Sequence, residues 1–258
     1  MVPRCLTIAT SDSGGGAGIQ ADLKAFAAAG CHGMSALVAL TAQNTVAVTD
    51  VLELPPEFVV AQLDAVFDDI GVDAAKTGML FSRTLIETVA DYLAAHPVPL
   101  VVDPVMVASS GARLLQQDAV ASYVERLFPL ATVVTPNLRE AEALAGAAAP
   151  ADELARRIHE LGARAVVVTG GHADVPGDTF FAGRELVLIE TERHDVRATH
   201  GSGCTHSATL AAHLARGESL LDSARAAARA ASSAVAHGLG ELGAGEGPVD
   251  VLHVAAAV

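Results

Sequence analysis

The 258-residue sequence has few aromatic side chains, no tryptophan and only two lysines, Lys24 and Lys76. Its 30 acidic residues outnumber its 16 lysines and arginines, so the formal net charge is −14 at pH 7. Binding to nucleic acid needs a basic face that neutralises phosphates, and an anionic membrane surface attracts clusters of basic residues. The composition therefore argues against both kinds of partner.

Long apolar runs and paired cysteines are also missing. The apolar runs that begin at Leu100 and Ala165 end within a few residues, whereas a membrane-spanning helix needs about 20. The N-terminal segment has no basic region followed by a long apolar stretch, so it is typical of a first strand and not of a secretory signal. The cysteines at positions 5, 31 and 204 are too far apart to predict a disulfide framework. We therefore expect a protein of the reducing cytoplasm.

Short apolar segments alternate with alanine-rich amphipathic segments along the chain. This βαβα pattern is typical of an α/β fold with a mostly parallel sheet and helices on both faces. No linker rich in Ser, Gly or Pro divides the sequence, so we expect a single domain over residues 1–258. The predicted strands are Cys5–Ala9, Met34–Thr41, Ala74–Thr77, Leu100–Val102, Thr132–Thr135 and Arg164–Thr169.

Apolar residues at spacings of three and four predict the helices between these strands. A different pattern around Gly183, rich in Phe, Val, Ile and charge, predicts an antiparallel hairpin over Phe180–Glu192. The predicted helices are Gly18–Ala29, Pro56–Ile70, Ser82–His96, Gln117–Phe128, Arg139–Leu144, Asp152–Leu161, Thr205–Arg216 and Leu220–His237.

A glycine-rich loop, Ser11–Gly18, follows the first predicted strand and opens a helix. Ligands of open α/β sheets bind beyond the carboxyl ends of the strands, and glycines let a ligand approach the backbone. The loop lacks the spacing of a P-loop or of a dinucleotide fold, so a tight strand-to-helix turn is the alternative. Asp22, in the helix that follows, is either a hydrogen-bond acceptor for a ligand or a partner of the helix dipole.

Polar residues also follow the next two strands. The carboxamides of Gln43 and Asn44 offer donors and acceptors that suit the edge of a heterocycle, although a turn cluster explains them equally well. Lys76 and Met79 lie at the end of another strand. A solvated lysine at a strand edge is the alternative interpretation of Lys76.

Asp103 and Glu140 follow two further strands and place acidic groups at the same edge of the sheet. Carboxylates there favour a Mg²⁺ site completed by waters and the phosphates of a nucleotide. Helix capping is the compatible alternative, because Asn137 and Glu140 have the spacing of a capping box.

The segment His200–His206 precedes an alanine-rich helix. Gly201, Ser202 and Gly203 predict backbone N–H groups at a helix N-terminus, which stabilise anionic oxygens. The helix dipole there predicts a lowered pKa for Cys204, whose thiolate would deprotonate a hydroxyl, whereas a small buried hydrophobe is the alternative. The spacing of His200, Cys204 and His206 argues against a zinc site.

Together these segments resemble the ribokinase superfamily, and more closely its hydroxymethylpyrimidine/phosphomethylpyrimidine kinase branch. The resemblance spans nearly the whole chain and depends on the order of many segments. They are residues 11–24, 41–45, 75–80, 101–106, 135–140, 170–172, 199–204 and 245–248.

The resemblance implies a three-layer ribokinase-like fold and a homodimer. It also implies ATP- and Mg²⁺-dependent phosphorylation of 4-amino-5-hydroxymethyl-2-methylpyrimidine and then of its monophosphate, in thiamine biosynthesis. By position, substrate contacts would come from Asp22 and Gln43 at the polar edge of the ring, Met79 on its face and Thr10 beside it.

The remaining site residues are assigned by the same resemblance. Gly201, Ser202 and Gly203 would form the oxyanion hole, and Cys204 would replace the Asp base of the sugar kinases. Mg²⁺ would be organised by Asp103 and Glu140. The nucleotide would be contacted by Asn137, Thr169, Gly171 and Lys76.

Two departures from the branch keep alternatives open. Thr169 stands where the branch commonly has a lysine, and losing one such phosphate contact costs about 2–4 kcal/mol of transition-state stabilisation. Thr10 stands where a glycine is usual and narrows the space beside the ring. A pyridoxal kinase is one alternative, because its substrate is also a heteroaromatic ring with a hydroxymethyl group. A catalytically weak pyrimidine- or ATP-binding protein is the other.

Overall fold

Strands and helices alternate along the chain in the computed structural model, which describes residues 1–106, 119–170 and 176–254. The strands are β1 (Arg4–Asp12), β2 (His32–Gln43), β3 (Val48–Glu53), β4 (Ala74–Thr77), β5 (Leu100–Val102), β6 (Val133–Val134), β7 (Val166–Val168), β8 (Gly177–Ala182) and β9 (Glu185–Glu190). The helices are α1 (Gly18–Ala28), α2 (Pro56–Asp69), α3 (Arg83–Ala95), α4 (Ala119–Ser122), α5 (Leu138–Ala145), α6 (Ala151–Glu160), α7 (Ser202–Ala215) and α8 (Leu220–Ala236).

One sheet contains all nine strands of the described residues, in the order β3-β2-β1-β4-β5-β6-β7-β8-β9. The six strands from β2 to β7 in that order are parallel, and β3, β8 and β9 extend the two edges in antiparallel pairs. The carboxyl ends of the parallel strands therefore meet along one edge, where a ligand site of an α/β sheet is expected.

Alternating side chains of the strands fill two cores, one on each face of the sheet. Leu6 and Ile8 of β1 pack with residues of α2, α3, α5 and α6, whereas Cys5 packs with residues of α1, α7 and α8. This arrangement is the predicted three-layer sandwich. None of the helices in the described ranges is long and apolar enough to cross a membrane.

The predicted strands Ala74–Thr77 and Leu100–Val102 are confirmed with the predicted ends, and the other predicted strands and the 180–192 hairpin are confirmed with shifted ends. The sequence missed β3, which mixes apolar and polar residues at an exposed edge and is not a continuous apolar run. The helix predicted over Gln117–Phe128 has its first two residues outside the described part. Its remainder is α4 followed by a π turn, Tyr123–Leu127, and a 3₁₀ turn, Phe128–Leu130.

Candidate active site

A buried ion pair lies where β4 and α1 meet beneath the carboxyl edge of the sheet. The Nζ of Lys76 is 2.9 and 3.0 Å from the two carboxylate oxygens of Asp22, and neither side chain is exposed. Thr7 donates a further hydrogen bond to Asp22 at 2.6 Å. The interpretation of Lys76 as a solvated lysine is therefore wrong, and both oxygens of Asp22, predicted to face a ring, accept bonds from the protein itself.

Asp103 connects this ion pair to α7. One of its oxygens lies 3.8 Å from Lys76 Nζ and accepts a hydrogen bond of 2.8 Å from the hydroxyl of Ser207. Asp22 and Asp103 thus lie on either side of one ammonium group. Lys76, predicted to contact the nucleotide, is instead fully buried, and its ammonium group lies between two carboxylates.

Cys204 faces the same cluster from the first turn of α7, and its side chain is half-buried. Burial raises the pKa of the Cys204 thiol to about 12; Lys76 opposes the increase and the two carboxylates add to it. The predicted lowering of this pKa by the helix dipole is therefore wrong, because desolvation and two nearby anions outweigh the dipole.

Asp103 and Glu140 form a second acidic group at the ends of β5 and α5. Glu140 accepts backbone hydrogen bonds from Asn137 at 2.9 Å and from Met106 at 3.4 Å. Asn137 in turn accepts one from the backbone of Glu140 at 3.0 Å, which confirms the predicted capping box. Burial, followed by the charge of Asp103, raises the pKa of Glu140 to about 8.

This pair of carboxylates fits a magnesium ion. A buried carboxylate whose pKa is raised beside a second one gains from a nearby cation, because the cation stabilises the ionised form. The described residues contain no group of three or more acidic, His or Cys side chains that would hold a metal alone. A metal bound here would take its other ligands from phosphates and water, as Mg²⁺ commonly does.

The N-terminus of α7 lies where the sequence predicts an anion-binding element. Gly201 is the N-cap with φ of 83°, and the amide of Ser202 donates to the carbonyl of Thr199 at 3.1 Å. The predicted donor at Ser202 is thus engaged within the chain. The amides of Gly203 and Cys204 belong to the first helical turn, whose N–H groups have no intrahelical acceptor.

Gly201→Ala is expected to destabilise the protein by at least about 1–3 kcal/mol, the cost of a strained backbone conformation. A Cβ at Gly201 would lie 1.8 Å from the carbonyl oxygen of Gly16, and the positive φ disfavours any L side chain. Gly203→Ala is the matched control, since nothing lies within 4 Å of its Cβ position. Thermal unfolding of both variants checks this prediction, and equal midpoints would contradict it.

The glycine-rich loop after β1 folds around the side chain of Asp12. The carboxylate accepts hydrogen bonds from the amides of Gly14, Gly16 and Ala17 at 2.8, 3.1 and 2.8 Å. His200 Nε2 lies 3.1 Å from the same carboxylate. The expected approach of a ligand to the loop backbone is therefore wrong for these three amides, which bind a side chain of the protein.

Three of the predicted substrate residues, Thr10, Met79 and Gln43, lie near this loop. Thr10 is buried and donates to the carbonyl of Met79 at 3.1 Å, so the ends of β1 and β4 lie together. Gln43, at the end of β2, is half-buried, and its backbone bonds Ser13 of the loop. The structure thus brings Thr10 and Met79 together, with Gln43 held against the same loop.

The predicted nucleotide residues lie further along the edge. Asn137 and Thr169 form a β-bridge after β6 and β7, whereas Gly171 lies outside the described residues. The sequence missed a buried pair behind this bridge, in which His206 Nε2 is 2.9 Å from Asp178. Asp178 also accepts from the amide of Gly170 at 3.3 Å. Only the fold brings these residues together, so no local motif could have predicted them.

An open α/β sheet with carboxylates and a glycine-capped helix N-terminus at its carboxyl edge defines a small-molecule kinase of the ribokinase-like fold. The profile of the phosphomethylpyrimidine kinase family matches residues 12–250. The chain therefore belongs to the phosphomethylpyrimidine kinase family and is a phosphotransferase.

Individual relatives agree with this assignment. The chain is 48% identical over 261 residues to a hydroxymethylpyrimidine/phosphomethylpyrimidine kinase of Rhizobium meliloti, covering 98% of each sequence. It is similar to an ADP complex of Bacillus subtilis pyridoxal kinase, with a TM-score of 0.91, 37% identity and 99% of each chain covered. It is also similar to a phosphomethylpyrimidine kinase structure from Clostridium difficile, with a TM-score of 0.79 and 36% sequence identity, and the match covers 89% of this chain and 97% of the other.

Proposed function

We propose that this protein uses ATP to phosphorylate 4-amino-5-hydroxymethyl-2-methylpyrimidine and then its monophosphate, as a step of thiamine biosynthesis. The observation that carries the proposal is the acidic and thiol cluster of Asp103, Glu140 and Cys204 beside the N-terminus of α7. Identity of 48% to a kinase named for this pair of substrates supports the choice of substrate.

The reaction joins the substrate oxygen to the γ-phosphorus of ATP and breaks its bond to the β,γ-bridging oxygen, so ADP leaves. The main task of the protein is to stabilise the negative charge that is spread over the transferring phosphoryl group. We assign the stabilisation of this charge to the amides of Gly203 and Cys204, at the positive end of α7. In the first phosphorylation the proton of the substrate hydroxyl would pass to Cys204, the group at that helix end that can accept one when ionised. In the second phosphorylation the attacking atom is an oxygen of the substrate's own phosphate, which has no hydroxymethyl proton to transfer.

Asp103 and Glu140 would hold Mg²⁺, which supplies positive charge to the nucleotide phosphates. Asn137 and Thr169 would lie against those phosphates on the other side, because they bridge β6 and β7 at the same edge. Lys76 and Asp22 act beneath the substrate: their ion pair fixes α1 against β4 and sets the field at Cys204.

The ring of the substrate is assigned to the space bounded by Thr10, Met79 and Gln43. The hydroxyl of Thr10 and the thioether of Met79 would pack on the ring. The carboxamide of Gln43 would form hydrogen bonds with the polar edge of the ring. Pyridoxal phosphorylation is the second candidate function. The TM-score of 0.91 to a pyridoxal kinase favours it, since both substrates present a hydroxymethyl group on a flat heterocycle.

Consumption of ATP with Mg²⁺, measured with hydroxymethylpyrimidine, its monophosphate and pyridoxal in parallel, tests the proposal. We expect kcat/KM for both pyrimidines to exceed that for pyridoxal by at least about tenfold, a difference of about 1.4 kcal/mol. Thr169→Lys is expected to raise turnover by adding a phosphate contact, and Thr169→Met controls for side-chain length. A higher kcat/KM for pyridoxal than for the pyrimidines would show that pyridoxal phosphorylation is the function. Turnover by the Thr169→Lys variant but not by the unaltered protein would indicate that the unaltered protein only binds its ligands.

A homodimer in the cytoplasm completes the proposal. Leu40 and Leu52 are paired across β2 and β3 and exposed, with Val46 exposed in the connection between them, so this edge offers apolar surface. All three cysteines are free thiols, which suits a reducing compartment. Sedimentation of Leu52→Glu beside the unaltered protein tests the dimer: a shift to the monomer is expected, and an unchanged mass would exclude this edge.

A further inference from the structure

Asp12 and His200 connect three segments that are far apart in the sequence. Asp12 ends β1 and gathers the amides of the following loop, as described above. His200 reaches the same carboxylate across 188 positions of the sequence. Its backbone is held from the other side, because its amide donates to Gly247 at 3.2 Å and its carbonyl accepts from Val249 at 3.0 Å.

Asp12 and His200 are both buried, and it is clear which of them donates and which accepts the hydrogen bond. The Asp12 side chain is 4% exposed and that of His200 11%. A carboxylate only accepts hydrogen bonds, so the ring nitrogen of His200 is the donor. Burial opposes ionisation of Asp12, yet the bonds from His200, Ala17 and Gly14 keep its pKa below the usual value. Asp12 is therefore the fixed anion that orders this loop.

The glycine-rich loop and the N-terminus of α7 are packed so closely that there is no room for a side chain between them. A Cβ at Gly16 would lie 2.3 Å from the His200 ring, and one at Gly201 would lie 1.8 Å from the Gly16 carbonyl. The loop backbone thus packs directly on the residue that caps α7. Any movement of His200 relative to Asp12 displaces Gly201 and, with it, the amides of Gly203 and Cys204.

We propose that Asp12 and His200 are positioning residues for phosphoryl transfer, which set the N-terminus of α7 against the glycine-rich loop after β1 by their mutual hydrogen bond. The proposal rests on the proposed function, because it assigns the α7 amides to the transferring phosphoryl group. It concerns neither substrate contact nor proton transfer. Displacements of about 1 Å at a reacting centre cost as much as about 100-fold in rate, so a link of this kind affects kcat.

His200→Phe keeps a ring against Gly16 and removes the hydrogen bond, whereas His200→Gln keeps a donor on a shorter side chain. Asp12→Asn removes the negative charge and replaces one acceptor oxygen with an NH₂ group, which cannot accept hydrogen bonds from the loop amides. Lys24→Met is the matched control, because the exposed Lys24 donates to the carbonyl of Gly15 in the same loop at 2.8 Å but touches neither partner.

We expect His200→Phe and Asp12→Asn each to lower kcat by about 30-fold to 100-fold, with KM for ATP and pyrimidine within about threefold of the original. The double variant is expected to lose no more than either single variant, and His200→Gln to recover part of the rate. Lys24→Met should match the original protein. Additive losses, a change in KM alone, or kcat within about threefold for His200→Phe would overturn the proposal.

Amide hydrogen exchange separates this proposal from the proposed function. Faster exchange in residues 13–18 and 201–205 of both single variants, with the rest of the chain unchanged, is expected whatever the substrate. Unchanged exchange at 201–205 in Asp12→Asn would overturn the link itself. Absence of pyrimidine turnover in the original protein would instead overturn the proposed function, and the exchange result would still decide the link.

Discussion

Replacing Lys76 with Met is expected to lower the free energy of unfolding by about 3–5 kcal/mol, the usual cost of leaving a buried charge without its partner. Lys76 is fully buried, and its ammonium is the counter-ion of Asp22 and the near neighbour of Asp103. Methionine fills a similar volume, so the loss comes from charge and not from a cavity. Denaturant unfolding at pH 7 checks the result.

Two further variants make this prediction specific. Arg157→Met breaks an exposed ion pair with Glu153 and is expected to cost no more than about 1 kcal/mol. Lys76→Met combined with Asp22→Asn is expected to be less destabilising than the sum of the two single changes, because the second removes the charge exposed by the first. A loss from Lys76→Met as small as that from Arg157→Met would show that Asp22 and Asp103 do not depend on Lys76.

The central strands could be predicted from the sequence because helices cover them on both faces. Leu100–Val102 is buried at every position and therefore appears as an unbroken apolar run. The edge strand β3 carries no such signal, since most of its residues are exposed. Its existence depends on pairing with β2, which only the folded sheet provides.

The same distinction separates the predicted and missed features of the site. The capping box of Asn137 and Glu140 joins residues three positions apart, so a local pattern predicted it. The partnership of Asp12 with His200 spans most of the chain, and no local pattern encodes it. The pKa of Cys204 was predicted in the wrong direction for this reason: the helix dipole is local, whereas the burial that raises the pKa, and the two carboxylates that add to the increase, depend on other elements of the fold.

Cys204→Ala is expected to lower kcat by about 100-fold or more, within the usual range for removal of a group that transfers a proton. KM for pyrimidine and for ATP should remain within about threefold, because the thiol acts on the transition state. Single-turnover phosphorylation with Mg²⁺ and ATP measures the loss. Thr10→Gly, on the substrate side of the site, is the contrasting variant and is expected to change KM for the pyrimidine more than kcat.

The pH dependence tests the same assignment with a defined sign. A thiol with a pKa of about 12 is almost entirely protonated at neutral pH, so the ionised, proton-accepting form increases as pH increases. We expect the rate of the unaltered protein to rise with pH, by up to about tenfold per unit where this ionisation limits the rate. Cys204→Ser should lose both the rate and its slope, because a hydroxyl does not ionise in this range. A rate independent of pH, or a Cys204→Ala variant as fast as the unaltered protein, would exclude Cys204 as the base and leave the amides of α7 as its contribution to the reaction.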